Sequence, residues 1–150
     1  MTSKSAVDEF MSKKNLAIVG VSRKKSKFGN VIYKELKKKG VNVFGVNPNM
    51  ENIDGDKCYN NLYELEGKID GVINVVSPSK TLQVVIEANE IGVKNIWMQH
   101  GSESDEAIKY CQENGINEIH KECILMFAEP VKSFHGLHRW VWKVLGKLPN

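Results

Sequence analysis

Between Gly20 and Gly29 the chain places Arg23, Lys24, Lys25 and Lys27, four cations within five positions, with Ser22 and Ser26 among them. An apolar run, Leu16-Ala17-Ile18-Val19, leads into this stretch, and Phe28, Val31, Ile32, Tyr33 and Leu36 follow it at helical spacings. The pattern is a strand, a glycine-bounded loop and a helix. A helix N-terminus already presents unpaired N–H groups and a partial positive charge. More cations crowded there repel one another unless an anion enters, so the loop is expected to receive phosphate. The competing reading is an ordinary strand–helix connection with solvated lysines.

Two familiar phosphate patterns do not fit. The dinucleotide fingerprint needs Gly-x-Gly-x-x-Gly, but Ser22 stands at the second glycine and Gly29 comes late. The Gly-x4-Gly-Lys-Ser/Thr pattern is absent. At the end of the next apolar run, Val41 to Val46, a dinucleotide enzyme carries an acid for the ribose hydroxyl. Here the residue is Asn47, followed by Pro48, and the nearest acid, Glu51, lies beyond that turn. The site therefore looks nucleotide-like without the residue that selects NAD.

Other reactive groups are sparse. His100 could act as a general base, but no carboxylate or nucleophile adjoins it in sequence, and a ligand contact or an exposed histidine is the plainer reading. Cys123 reads as a small buried apolar side chain rather than a reactive thiol. His120-x2-Cys123 and His135-x2-His138 have ligand-like spacing for zinc. His138 falls on an apolar stripe, however, and His120 ends a strand, so packing histidines are expected and no metal is assigned.

The elements that must position these residues follow from periodicity. Val7, Phe10 and Met11 read as a short docking helix. Strands are expected at about 15–21, 41–46, 71–76, 94–98 and 116–120. Helices are expected at about 28–39, 78–91 and 103–114, with a short capped helix near Asn61–Leu65. Ser77-Pro78 suits a helix start. A last helix, about 132–145, carries a stripe of Phe134, Leu137, Val141, Trp142 and Leu145. Trp140 lies off that stripe, either shielded by a neighbouring segment or forming a homodimer contact.

Alternation of strands and helices implies an α/β, Rossmann-like three-layer sandwich with a parallel sheet of about five strands and a C-terminal helix. One domain is expected over 1–150, with its core at about 14–124 and a helical extension at about 130–147. Right-handed crossovers bring every strand exit to one sheet edge, where ligands of such folds bind. The segments 20–29, 47–49, 76–78 and 99–101 gather there.

The chain has 150 residues, 41% hydrophobic and 26% charged, with a net charge of +3. That composition fits a globular domain and does not suggest a nucleic-acid binder. Three scattered cysteines, and an N-terminal segment bearing Asp8 and Glu9 without an apolar core, predict a cytoplasmic protein without a secretory leader. No apolar stretch reaches the ~20 residues that cross a bilayer.

In this order Ile18-Val19-Gly20-Val21-Ser22-Arg23, Val46-Asn47-Pro48, Ile53-x-Gly55-x3-Tyr59 and Trp97-Met98-Gln99-x-Gly101 resemble the CoA-binding domain family, in particular its small stand-alone members. The same domain occurs in succinyl-CoA ligase and ADP-forming acetyl-CoA synthetase subunits. The resemblance implies a cleft for coenzyme A or an acyl-CoA. Gly20, Val21, Ser22, Arg23 and the Lys27-Phe28-Gly29 turn would lie on the phosphate side. Asn47 and Pro48 would lie by the adenosine, Val76, Ser77 and Pro78 would line the cleft, and Gln99 and Gly101 would form its other wall. His100 departs from the apolar residue many relatives carry. The expectation is a binding module without catalysis of its own. The alternative is an NAD(P)-dependent oxidoreductase or ligase component using the same cleft.

Overall fold

The computed structural model describes residues 3–126. The expected C-terminal helix, Trp140, His135 and His138 lie outside the described residues. Helix α1 spans Lys4–Met11, and strand β1 spans Asn15–Val19. Helix α2, Phe28–Lys38, returns the chain to strand β2, Asn42–Val46. A hairpin of β3, Asn52–Ile53, and β4, Asp56–Tyr59, follows. A 3-10 turn at Leu62–Leu65, capped by Asn61, leads to β5, Gly71–Asn74. Helix α3, Pro78–Glu90, strand β6, Asn95–Gln99, helix α4, Asp105–Glu113, and strand β7, Asn117–Glu122, complete the alternation.

The sheet has seven strands in the order β3-β4-β2-β1-β5-β6-β7. Every pairing is parallel except β3 with β4. The expected five strands are present, and the hairpin corrects the count to seven and makes the sheet mixed. Asp54 and Gly55, at φ 48° and 85°, form its two-residue turn, as a tight hairpin requires. The first strand also stops two residues earlier than expected, because Gly20 turns the chain at φ 118°.

Helices cover both faces. On one face Phe10, Ile32, Tyr33 and Leu36 pack over Ile18, Ile73, Trp97 and Ile119. Phe10 meets the fully buried Trp97 edge-on, with ring centroids 5.3 Å apart, so α1 does dock on the core. On the other face Val84, Val85, Ala88, Ala107 and Cys111 pack over Ala17, Val72, Ile96 and Met98. This double coverage explains why the central strands are apolar runs rather than alternating ones. No helix among the described residues is long and apolar enough to cross a membrane.

Candidate functional site

Register brings four strand exits to one level. Val19 pairs with Val46 on one side and Asn74 on the other, and Asn74 pairs with Met98. The loops after β1, β2, β5 and β6 therefore leave from a common edge.

The first of these loops is held by close backbone approach and one asparagine. A Cβ on Gly20 would lie 3.1 Å from the Val75 carbonyl carbon, and a Cβ on Gly29 would lie 2.6 Å from the Gly20 oxygen. The start of α2 thus rests on the end of β1, a fit that a larger residue would prevent. Buried Asn30 closes the loop from within. Its Oδ1 accepts from the Ser22 N–H and its Nδ2 donates to the Ser22 carbonyl, both at 2.6 Å. Ser22 Oγ accepts from the Lys24 N–H at 3.2 Å. Arg23, Lys24, Lys25 and Lys27 remain exposed around this frame.

Asn47 ties the second exit to the first. Its Nδ2 donates to the Val21 carbonyl at 2.7 Å, and its Oδ1 accepts from the Asn49 N–H at 2.8 Å. Arg23 reaches across in the other direction, donating from Nη2 to the Asn49 carbonyl at 2.6 Å. An aspartate at 47 could not make the bond to Val21, because an ionised carboxylate has no donor. The missing NAD-type acid therefore has a structural counterpart in this bond.

The helix starts at this edge are not alike. Lys27 caps α2 without any side-chain bond, and the first turn holds no acid. Ser77 occupies the cap position of α3 and Pro78 its first position, as expected. Yet Ser77 makes no cap bond, its Oγ lying 3.3 Å from Ser79 Oγ instead, and no acid follows in that turn. In α4, Ser104 Oγ accepts from the Ala107 N–H at 3.1 Å, and Asp105 and Glu106 sit in the first turn.

Against the start of α3, over the β1 and β2 exits, lies a cavity of about 680 Å³. Of the residues singled out in the sequence, Gly20, Asn47, Pro48 and Val76 line it. Asn60, Asn61, Ser79, Lys80 and Gln83 also line it, with Glu87 as a carboxylate at the wall. A second hollow of about 580 Å³ shares Pro48, Asn49 and Asn60 with the first and adds Arg23, Glu51 and Asn52. Val21, Ser22, Lys27, Phe28, Gly29, Ser77, Pro78, Gln99 and Gly101 line neither. Val21 packs in the core, and Gln99 is buried with its Oε1 accepting from the Ile124 N–H at 3.1 Å. Lys80 is the cation that the sequence reading passed over. Its signal was a base in a first turn where helices favour acids.

At the exits of β5 and β6 the buried atoms Asn74 Oδ1, Gln99 Nε2 and His100 Nδ1 have no hydrogen-bond partner among the described residues. Around them Asn74 Nδ2 donates to Thr81 Oγ1 at 2.9 Å, and Ser102 Oγ donates to the Asn74 carbonyl at 2.9 Å. Buried polar atoms normally find partners, so unpaired ones at a sheet edge mark a place where a ligand could supply them.

The other reactive groups are engaged elsewhere or buried. Cys58, Cys111 and Cys123 are all buried. Burial, and then the nearby Glu118 charge, pushes the Cys111 thiol up to about 12. His120 Nδ1 lies 2.7 Å from Glu118 Oε2. No group of three or more metal-ligating side chains gathers among the described residues. On the flank of α2 a further hollow of about 650 Å³ is lined by Lys25 of the β1 loop and by Tyr33, Lys34, Lys37 and Asp54. There Tyr33 donates to Asp56 at 2.6 Å and Lys37 pairs with the same carboxylate, fastening the hairpin to α2. The Lys37 bond, then the Tyr33 bond, holds the Asp56 carboxyl below its ordinary value.

A Rossmann-like α/β fold with glycine and cationic loops at one sheet edge defines the general class. The family model for the CoA binding domain matches residues 14–129, and the chain belongs to that family. It is 30% identical over 124 residues to the uncharacterized protein YneT of Bacillus subtilis, covering 81% of this chain and 91% of that one. It is 34% identical over 91 residues to the alpha subunit of ADP-forming acetate–CoA ligase II of Pyrococcus furiosus, covering 60% of this chain. The chain spans only 20% of the length of that ligase subunit. Among solved structures, a conserved hypothetical protein of Pyrococcus furiosus superposes with a TM-score of 0.74 at 39% identity, covering 77% of this chain and 99% of the other.

Proposed function

We propose that the protein binds coenzyme A or an acyl-CoA at the β1–β2–β5 edge and catalyses no reaction of its own. The observation that carries this reading is the acid-free, uncapped start of α3, which sets Ser79 and Lys80 against one cavity at the β1 and β2 exits, with Arg23 lining the hollow that adjoins it. Such a site is short of negative charge, and a coenzyme with a pyrophosphate and a ribose phosphate supplies it. Family membership points the same way, and the ligase relatives use coenzyme A by name.

The reading without catalysis is supported by the burial of all three thiols and by His100 Nδ1, which has no hydrogen-bond partner among the described residues. An NAD(P) enzyme is disfavoured by Asn47, whose amide is committed to Val21 and Asn49. Thermal-shift titration with coenzyme A, acetyl-CoA, NAD and NADP tests the proposal, because a ligand bound only by the native state raises its stability. Coenzyme A and acetyl-CoA should each raise the midpoint, and NAD should not. Stabilisation by NAD and not by coenzyme A would reverse the assignment. Mass spectrometry of ligand carried through purification would name the acyl group.

A further inference from the structure

We propose that Arg23 selects a phosphorylated ribose, so that the site distinguishes coenzyme A from the same molecule lacking its 3′-phosphate. The inference rests on the coenzyme reading above and adds to it the group that sets ligand choice.

Position is the first argument. In folds of this kind the ribose lies at the exit of the second strand, and an arginine there takes a ribose phosphate where an acid would take a bare hydroxyl. Here the exit is Asn47, Pro48 and Asn49. Arg23 is fixed to it by the 2.6 Å bond from Nη2 to the Asn49 carbonyl. Arg23 comes from the β1 loop, so its guanidinium spans the gap between the two exits.

Donor count is the second argument. A guanidinium has five N–H groups in a rigid fork. The carbonyl accounts for one bond, and the side chain lines the hollow of about 580 Å³ that shares Pro48, Asn49 and Asn60 with the main cavity. A ligand whose nucleotide crosses that shared rim presents its ribose to Arg23. A planar fork matches a phosphomonoester with paired hydrogen bonds, which a lysine cannot reproduce.

The local charge sharpens the assignment. Among the described residues Glu51 is the one carboxylate lining the Arg23 hollow, and it is exposed. Its charge opposes a phosphate there, so neutralising it should strengthen the discrimination rather than weaken it. Among the described residues no other cation lines that hollow, which leaves the discrimination to Arg23.

Isothermal titration of the full chain with coenzyme A and with 3′-dephospho-coenzyme A tests this at fixed ionic strength. The unaltered protein should favour coenzyme A by about tenfold, as expected for a charge-assisted pair at an accessible site. Arg23→Gln should bring that ratio close to one, because affinity for coenzyme A should fall several-fold more than affinity for the dephospho form. Arg23→Lys should restore part of the ratio, and Glu51→Gln should raise it. If Arg23→Gln weakens both ligands equally, the residue is a loop clamp and the inference fails. Far-ultraviolet circular dichroism and the thermal midpoint of each variant separate a folding defect from this outcome. Should Arg23→Gln unfold the chain, Arg23→Lys decides alone: an unchanged ratio overturns the inference, and a reduced one supports it. Equal binding of both ligands by the unaltered protein overturns the inference and leaves the coenzyme reading standing. Binding of neither overturns both.

Discussion

Helices α3 and α4 both begin at the same sheet edge, after adjacent strands, yet they treat their exposed amides in opposite ways. Helix α4 supplies its own oxygen from Ser104 and its own negative charge from Asp105 and Glu106. Helix α3 offers Ser77 in the cap position without using it, carries no acid in its first turn, and places Lys80 there. Helix α2 behaves like α3, with Lys27 at its cap. One helix start carries its own cap and acids, and two have neither a side-chain cap bond nor an acid in the first turn. An unsatisfied helix start lowers stability, so leaving that of α3 beside a cavity makes sense when a ligand completes it.

The largest effect that bears on this contrast should come from Gly29→Ala. Its methyl group would sit 2.6 Å from the Gly20 oxygen, forcing α2 away from β1. Stability should fall by about 1–3 kcal/mol in urea denaturation, and coenzyme affinity should fall with it. Retained affinity would show that the α2 start is not part of the site.

Next comes charge. Lys27→Ala and Lys80→Ala should each weaken coenzyme binding by about 1 kcal/mol, while Lys38→Ala, at the far end of α2, should change little. Raised salt should shrink the difference. Equal losses at positions 27 and 38 would remove the distinction between the open helix starts and the rest of the surface.

A cap exchange sharpens the comparison itself. Ser104→Ala should cost about 1 kcal/mol of stability and leave ligand affinity unchanged. Ser77→Ala should cost less stability, since Ser77 makes no cap bond.

The smallest effect concerns a clamp away from this edge. The folded-state pKa of Asp56 is depressed by Lys37 and Tyr33, so its contribution is present above the unfolded carboxylate pKa and is lost as pH falls through the folded value. Asp56→Asn should therefore flatten the acid side of a stability–pH curve slightly, the more so because the group is well exposed.

Much of this architecture is legible in the residues. Central strands buried on both faces must be continuous apolar runs, so Leu16–Val19 and Gly71–Val76 announce themselves. Parallel topology then dictates which loops meet, without any knowledge of side-chain contacts. The β3–β4 hairpin escapes this logic. Its strands are short and carry Asn52, Asp56 and Lys57, leaving Asp54-Gly55 as the sole local signal. The pins of the site escape it too. Asn30 reads as an ordinary polar helix residue, and its meaning depends on Ser22, eight positions away in sequence and 2.6 Å away in space. Lys80 was readable only by asking why a helix start lacks acids.

Asn47 carries a consequence for how this scaffold can change its ligand. Its amide is at once a rivet for the chain and the occupant of the place from which related folds tell one cofactor from another. Drift from asparagine to aspartate, a single-base event in the codon, would pull the rivet before it gained a new specificity. A route from this protein to a dinucleotide enzyme must therefore first rebuild the joint between the β1 and β2 exits, and only afterwards retune what is recognised there.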